Sequence, residues 1–195
     1  MSTDFHFSRS DICFATATLA SILVLVPAFY YLRRDPPQEK TPHVRTFCKY
    51  VEAYSTKRPQ ALATNASVDF THVVLPSALQ IPIRTLDPFK MHADRIFSFF
   101  KEFDMLPQSQ GPQGNVHFCK ETNTVIAHCR MGGIINGQSE KGKILIKRGL
   151  QEWWTECVLF VRMDVEGKRV VEVKEFVNSA KAKELQKRLE GISEG

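Results

Sequence analysis

The chain has 195 residues, 43% of them hydrophobic and 24% charged, which is the balance of a soluble globular domain. That balance excludes a disordered chain, a collagen and a polytopic membrane protein, and no internal repeat points to a solenoid. The net charge of +5 arises within residues 43–163, where 15 basic groups oppose 10 acidic ones. They are scattered singly, without the basic block that tracks a phosphate backbone, so no nucleic-acid partner is expected.

Near the N-terminus, Ile12 to Leu32 reads ICFATATLASILVLVPAFYYL, 21 residues without a charge. About 20 apolar residues cross a bilayer as a helix. Phe29, Tyr30 and Tyr31 lie at the downstream end, where interfacial aromatics belong, and Arg33 and Arg34 follow. The basic pair places the downstream side in the cytosol. A signal peptide is the alternative, but its apolar core is shorter and is preceded by positive charge. Residues 1–35 therefore read as a single-pass membrane anchor, held in the bilayer by residues 12–32. Three prolines within residues 36–42 make a stiff linker, and a folded domain is expected over residues 43–195.

Within that domain, Val44, Phe47, Cys48, Val51 and Tyr54 recur at helical spacing. Asp69 to Leu75 is rich in β-formers and stops at Pro76. Asp87-Pro88 reads as a helix start, followed by one stripe of Phe89, Ile96, Phe97, Phe100 and Phe103. Residues 115–120 and 124–131 read as two strands turning at Glu121-Thr122-Asn123, and a polar excursion covers 136–143. Glu152 to Met163 is a long strand. A Gly-containing turn at 164–168 joins it to a partner over Arg169–Asn178. Ser179 caps a last helix, Ala180 to Leu189. Helices followed by a run of antiparallel strands, without βαβ alternation, predict an α+β fold. One bent sheet wrapped over the helices would close a conical cavity.

Four stretches carry a resemblance: Asp69-Phe70-Thr71-His72-Val73-Val74-Leu75-Pro76, Ile81-Pro82-Ile83-Arg84, Glu152-Trp153-Trp154-Thr155-Glu156-Cys157-Val158-Leu159-Phe160, and Gly167 through Ser179. Together, over about residues 43–190, they resemble the nuclear transport factor 2-like superfamily, and within it the SnoaL-like small proteins of fungal secondary metabolism. The resemblance implies a cone-shaped α+β barrel and a homodimer packed through the sheet. It also implies an isomerase, cyclase or dehydratase that works on an apolar intermediate without metal or organic cofactor. The family also includes many proteins with no known activity, so the fold does not settle the activity, and a non-catalytic module that binds a lipophilic ligand or scaffolds biosynthetic partners is the alternative. Relatives commonly read E-F-V-D-S where this chain has Glu175-Phe176-Val177-Asn178-Ser179. The amide of Asn178 can hydrogen-bond a ligand but does not titrate.

Alternation along the strands nominates the site residues. Glu156 shares a face with Trp154, Val158 and Phe160, and Glu175 with Val171, Val173 and Val177. A carboxylate in an apolar setting holds its proton nearer neutrality, the condition for shuttling one. Glu175 and Glu156 are therefore the acid–base candidates, assisted by His72 and His128; core or solvent-facing positions are the plainer alternatives for the two histidines. Arg130, which shares a face with His128, could bind a carbonyl or carboxylate, and Arg84 could close the cavity mouth. Trp154, Phe160 and Asn178 complete the predicted substrate contacts. Trp153 and Trp154 must point to opposite faces, and which of them meets a ligand is open. His92 and His117 have no informative context. The run Gly137 to Ile144 matches a phosphate-loop spacing but has Ile144 where a hydroxyl should bind magnesium, and no helix is expected after it. The cysteines Cys13, Cys48, Cys119, Cys129 and Cys157 are odd in number, without C-x-x-C or zinc spacing. They read as free thiols in a reducing compartment, with no metal site.

Overall fold

A computed structural model describes residues 41–108 and 116–190. The predicted anchor and most of the linker, residues 1–40, lie outside the described residues. Among the described residues no helix is long and apolar enough to cross a membrane.

The domain opens with helix α1 (Pro42–Ser55). Thr41 caps it, its hydroxyl accepting from the Val44 N–H at 3.3 Å, and Pro42 takes the first turn, where a missing N–H costs nothing. Thr41 and Pro42, expected within the linker, are the cap and first residue of this helix. Short α2 (Pro59–Ala63) follows and packs with α1 and with α3 (Leu86–Phe97).

Among the described residues seven strands form one sheet: β1 (Ala66–Leu75), β2 (Arg84–Thr85), β3 (Phe100–Pro107), β4 (Val116–Cys119), β5 (Thr124–Ile135), β6 (Glu152–Met163) and β7 (Val170–Val177). Their order is β2-β1-β7-β6-β5-β3, with β4 paired to β5. All neighbours are antiparallel except β1 and β7, which run parallel. A fully antiparallel sheet is thus not what forms. A parallel pair needs a long crossover, and here everything between Leu75 and Val170 supplies it. The α+β class holds: a curved sheet covers the helices, with the core between.

Alternation along β6 buries Trp153, Thr155, Cys157, Leu159, Val161 and Met163, and turns the even-numbered residues outward. β7 buries Val173, Glu175 and Val177, and β1 buries Phe70, His72 and Val74. Strand β5 holds a close backbone approach. Gly132 has φ of +146°, and a Cβ there would lie 2.0 Å from the Trp153 carbonyl oxygen. Only glycine permits that backbone approach.

The phenylalanine stripe divides differently from the expectation. Helix α3 stops at Phe97, and Phe100 and Phe103 sit on β3, buried against the same core. An F-x-x-F spacing fits a helix, but Phe100 and Phe103 occupy one face of β3 only because the ladder with β5 shifts register between Phe100 and Glu102. Two further differences concern caps. Helix α3 is capped two residues early, at Thr85, so Pro88 occupies its third position rather than its first. Residues 136–143 are not simply a polar loop, because Ser139 caps helix α4 (Glu140–Lys147) by accepting from the Gly142 N–H at 3.0 Å. Leu145 anchors that helix, fully buried. The turn at 164–168 packs back onto α1: Gly167 has φ of +69°, and its carbonyl accepts from the Thr46 hydroxyl at 2.6 Å.

Helix α5 (Ser179–Leu189) closes the chain. Its cap is Asn178 rather than Ser179. The Asn178 Oδ1 accepts from the N–H groups of Ala180 and Lys181 at 3.1 and 3.2 Å. An amide oxygen caps a helix about as well as a carboxylate does.

Candidate functional site

Between the concave face of the sheet and helices α3 and α5 lies a cavity of about 590 Å³, within the range that holds a drug-sized molecule. Most of its wall is apolar, including Phe89, Phe97, Phe103, Met131, Val177 and Leu185. The polar exceptions come from several elements, among them His72, Arg84, Thr155 and Glu175 from the sheet, Tyr54 from α1, and His92 from α3.

The parallel pairing of β1 and β7 sets His72 opposite Val173, so that Glu175 is its next neighbour on the same face. The His72 Nε2 lies 3.2 Å from Glu175 Oε2. Both residues are buried, His72 at 2% and Glu175 at 7% exposure. Arg84, the register partner of His72 on β2, brings Nη1 to 3.4 Å from the His72 Nδ1. An arginine N–H can only donate. The His72 Nδ1 must therefore accept, which leaves Nε2 as the N–H that donates to the Glu175 carboxylate. The chain Arg84–His72–Glu175 has a defined direction, and the His72 ring is held against Phe89 with centroids 4.8 Å apart.

The surroundings respond to this cluster. Burial lowers the proton affinity of the Arg84 guanidinium, and Glu175 opposes part of that effect. His92, also on the cavity wall, has its pKa lowered to about 4 by burial and then by the nearby Arg84 and His72. It is an uncharged imidazole at neutral pH, able to accept or donate. Tyr54 lines the cavity, with its hydroxyl 3.0 Å from that of Tyr50. Burial, and secondarily its neighbours' charge, pushes the Tyr54 phenol far above its ordinary range, so it keeps its proton. Burial also pushes the Cys129 thiol up to about 12 and that of Cys157 higher, Glu175 adding to both. Neither thiol is a ready nucleophile. Among the described residues no group of three or more potential metal ligands comes together.

Of the predicted site residues, His72, Arg84, Glu175 and Asn178 border the cavity, Asn178 at an exposed point of its rim. Glu156, His128, Arg130, Trp154 and Phe160 do not. All five lie on the convex face, across from one another on β5 and β6. His128 Nε2 pairs with Glu156 Oε2 at 3.4 Å, and the Glu156 side chain is 71% exposed. The Arg130 guanidinium stacks over the Trp154 ring at 4.4 Å, and the Trp154 N–H donates to Glu152 at 3.2 Å. A central strand carries large apolar residues on both faces, so apolar company alone does not say which face lines the cavity. The odd-numbered set of β6 faces the cavity instead, contributing Trp153 and Thr155. His92 was also missed. It follows Phe89 by three residues and precedes Ile96 by four, so the stripe spacing of α3 was the available signal.

Comparison by sequence returns no match to a family model or to a curated protein. Comparison of structures returns several. The BvnE pinacolase of Penicillium brevicompactum superposes with a TM-score of 0.65 at 10% identity, over 80% of this chain and 97% of that one. AusH of Aspergillus nidulans gives 0.59 at 19% identity, over 74% and 88%. A nuclear transport factor 2-like protein of Burkholderia thailandensis gives 0.50 at 13%, over 75% and 97%. The likeness shows the fold: the chain has the nuclear transport factor 2-like fold that its four sequence stretches resemble.

Proposed function

We propose that this chain is a small acid–base enzyme, an isomerase, cyclase or dehydratase, acting on an apolar biosynthetic intermediate in its cavity. One observation carries the reading: a directional Arg84–His72–Glu175 chain, its histidine and glutamate buried, borders a mostly apolar cavity. Glu175 is the proton acceptor. Its Oε2 is held by His72, and the rest of the carboxylate is available to a carbon or hydroxyl proton of the substrate. The uncharged His92 and the protonated Tyr54 offer hydrogen bonds where charge develops on a substrate oxygen. Proton transfer by such positioned groups contributes about 10²–10⁴ in rate. The reaction class needs no redox partner, because a proton taken at one substrate atom is returned at another or leaves with hydroxide. The names of the structural neighbours, a pinacolase among them, support this reaction class.

A second reading is a binding module without turnover. It is favoured by the fact that both nitrogens of His72 already have protein partners, Glu175 and Arg84, as in a purely structural network. In either reading residues 12–32 anchor the domain where apolar molecules concentrate, and the convex face is the homodimer surface.

The test compares metabolites by mass spectrometry in the native host, with the gene deleted and then complemented by wild type or Glu175→Gln. An accumulating precursor that only wild type clears supports the enzyme. Clearance by Glu175→Gln removes Glu175 from catalysis and supports the binder.

A further inference from the structure

Arg84 borders the cavity and is half-buried. Strand β2 is only two residues long, and its register with β1 sets Arg84 opposite His72. The side chain thereby reaches the wall, with Nη1 3.4 Å from the His72 Nδ1. Its charge lowers the proton affinity of His92 on α3, and it feels the charge of Glu175 on β7. Both are wall residues, so the guanidinium sits among three cavity groups rather than trailing into bulk water.

A guanidinium carries five N–H donors and no acceptor. Among the described residues, Arg84 spends one donor, on a long contact to an uncharged nitrogen, and makes no ion pair; the Glu175 carboxylate is taken by His72 instead. The remaining donors can be reached by a bound molecule. Among the described residues, the one unpartnered side-chain nitrogen that the fold seals off is that of Trp153. A partly desolvated cation without a counter-charge is costly to hold, and an incoming anion relieves that cost. The open fork of Nε and Nη2 matches the two oxygens of a carboxylate.

The balance of the wall sets the charge of that anion. Among the described residues, its arginines and carboxylates are Arg84, Arg95, Glu175 and Glu190. Two against two leaves no surplus for a phosphate or diphosphate, whereas one planar monoanion fits one open fork.

We propose that Arg84 anchors a carboxylate of the bound molecule, which makes the ligand an apolar carboxylic acid. One imidazole ring separates the guanidinium from Glu175, so the end that bears the carboxylate is the end at which the proton moves. Arg84 thus has a role beyond directing His72 toward Glu175. The proposal rests on the reading of this cavity as the ligand site.

Three probes built on one ring test it on the full-length protein: cyclohexanecarboxylate, the neutral cyclohexanecarboxamide and cyclohexylphosphonate. Binding is followed at neutral pH through the methyl resonances of Val177 and Leu185, which line the cavity. The acid should bind at least about tenfold more tightly than the amide, and the phosphonate no more tightly than the acid. Arg84→Gln should bring acid and amide to equal affinity and leave the amide's own affinity unchanged, which also shows that the variant is folded. Where Arg84→Gln does not fold, Arg84→Lys decides, because it keeps the charge and loses the fork: the preference should shrink, and an undiminished one counts against the anchor. Equal binding of acid and amide by wild type, a preference that survives Arg84→Gln, a phosphonate tighter than the acid, or no methyl shift with any probe would each overturn the proposal. Failure of the enzymatic reading looks different. An acid preference with full clearance of the precursor by Glu175→Gln leaves a carboxylate binder without turnover; loss of clearance without an acid preference leaves the enzyme and removes this anchor.

Discussion

The sheet carries two histidine–glutamate pairs, one on each face. His72 and Glu175 meet at 3.2 Å inside the cavity, and His128 and Glu156 meet at 3.4 Å outside it. The groups are the same and the distances nearly so. The difference is the medium. On the inner side burial itself displaces proton affinities, and neighbouring charges then add to it, as at His92, Tyr54 and Cys157. On the convex face water and salt screen the pair, and such pairs contribute little. Chemistry follows from where a pair sits, not from its composition.

Parallel substitutions break the comparison most sharply. Glu175→Gln should reduce turnover by about 10²–10⁴, while Glu156→Gln should leave it unchanged; equal losses would erase the distinction. Stability should divide the same way. His72→Ala leaves a buried carboxylate without its hydrogen-bond donor and should cost about 1.5–3 kcal/mol in urea unfolding, whereas His128→Ala should cost under about 1 kcal/mol. A third contrast is in pH. His92 takes its proton at about 4 in the folded chain against 6.5 ordinarily. The unfolded chain protonates first, so stability is full above 6.5 and falls as the pH drops towards about 4. The loss should approach about 2–3 kcal/mol, and His92→Gln should flatten it, which pH-dependent unfolding would show. The smallest effect belongs to the outer face. Arg130→Gln removes the stacking on Trp154 and should cost about 0.5–1 kcal/mol, with no change in turnover.

The fold was legible wherever the pattern was long and local. Strand β6 was read with its observed limits because twelve residues rich in β-formers run unbroken up to the Gly-containing turn at 164–168. The hairpin into β7 followed from Gly167. His72 and Glu175 were each nominated by their place on an apolar strand. That they touch was not legible, because the contact depends on a parallel pairing between segments 103 residues apart. The same limit explains Phe100 and Phe103, whose spacing fits a helix until β5 claims them as a strand. It also explains Glu156: Trp154, Val158 and Phe160 look like a core face, and only the helices packed on the other side show that they are not.

The two adjacent tryptophans have an optical consequence. Trp153 is buried at the cavity wall and Trp154 lies against a guanidinium on the outer face, so their emission should separate in wavelength and in access to a dissolved quencher. Trp153→Phe and Trp154→Phe would each leave one chromophore, turning a single dipeptide into two intrinsic gauges: one for the filling of the cavity, the other for whatever covers the sheet.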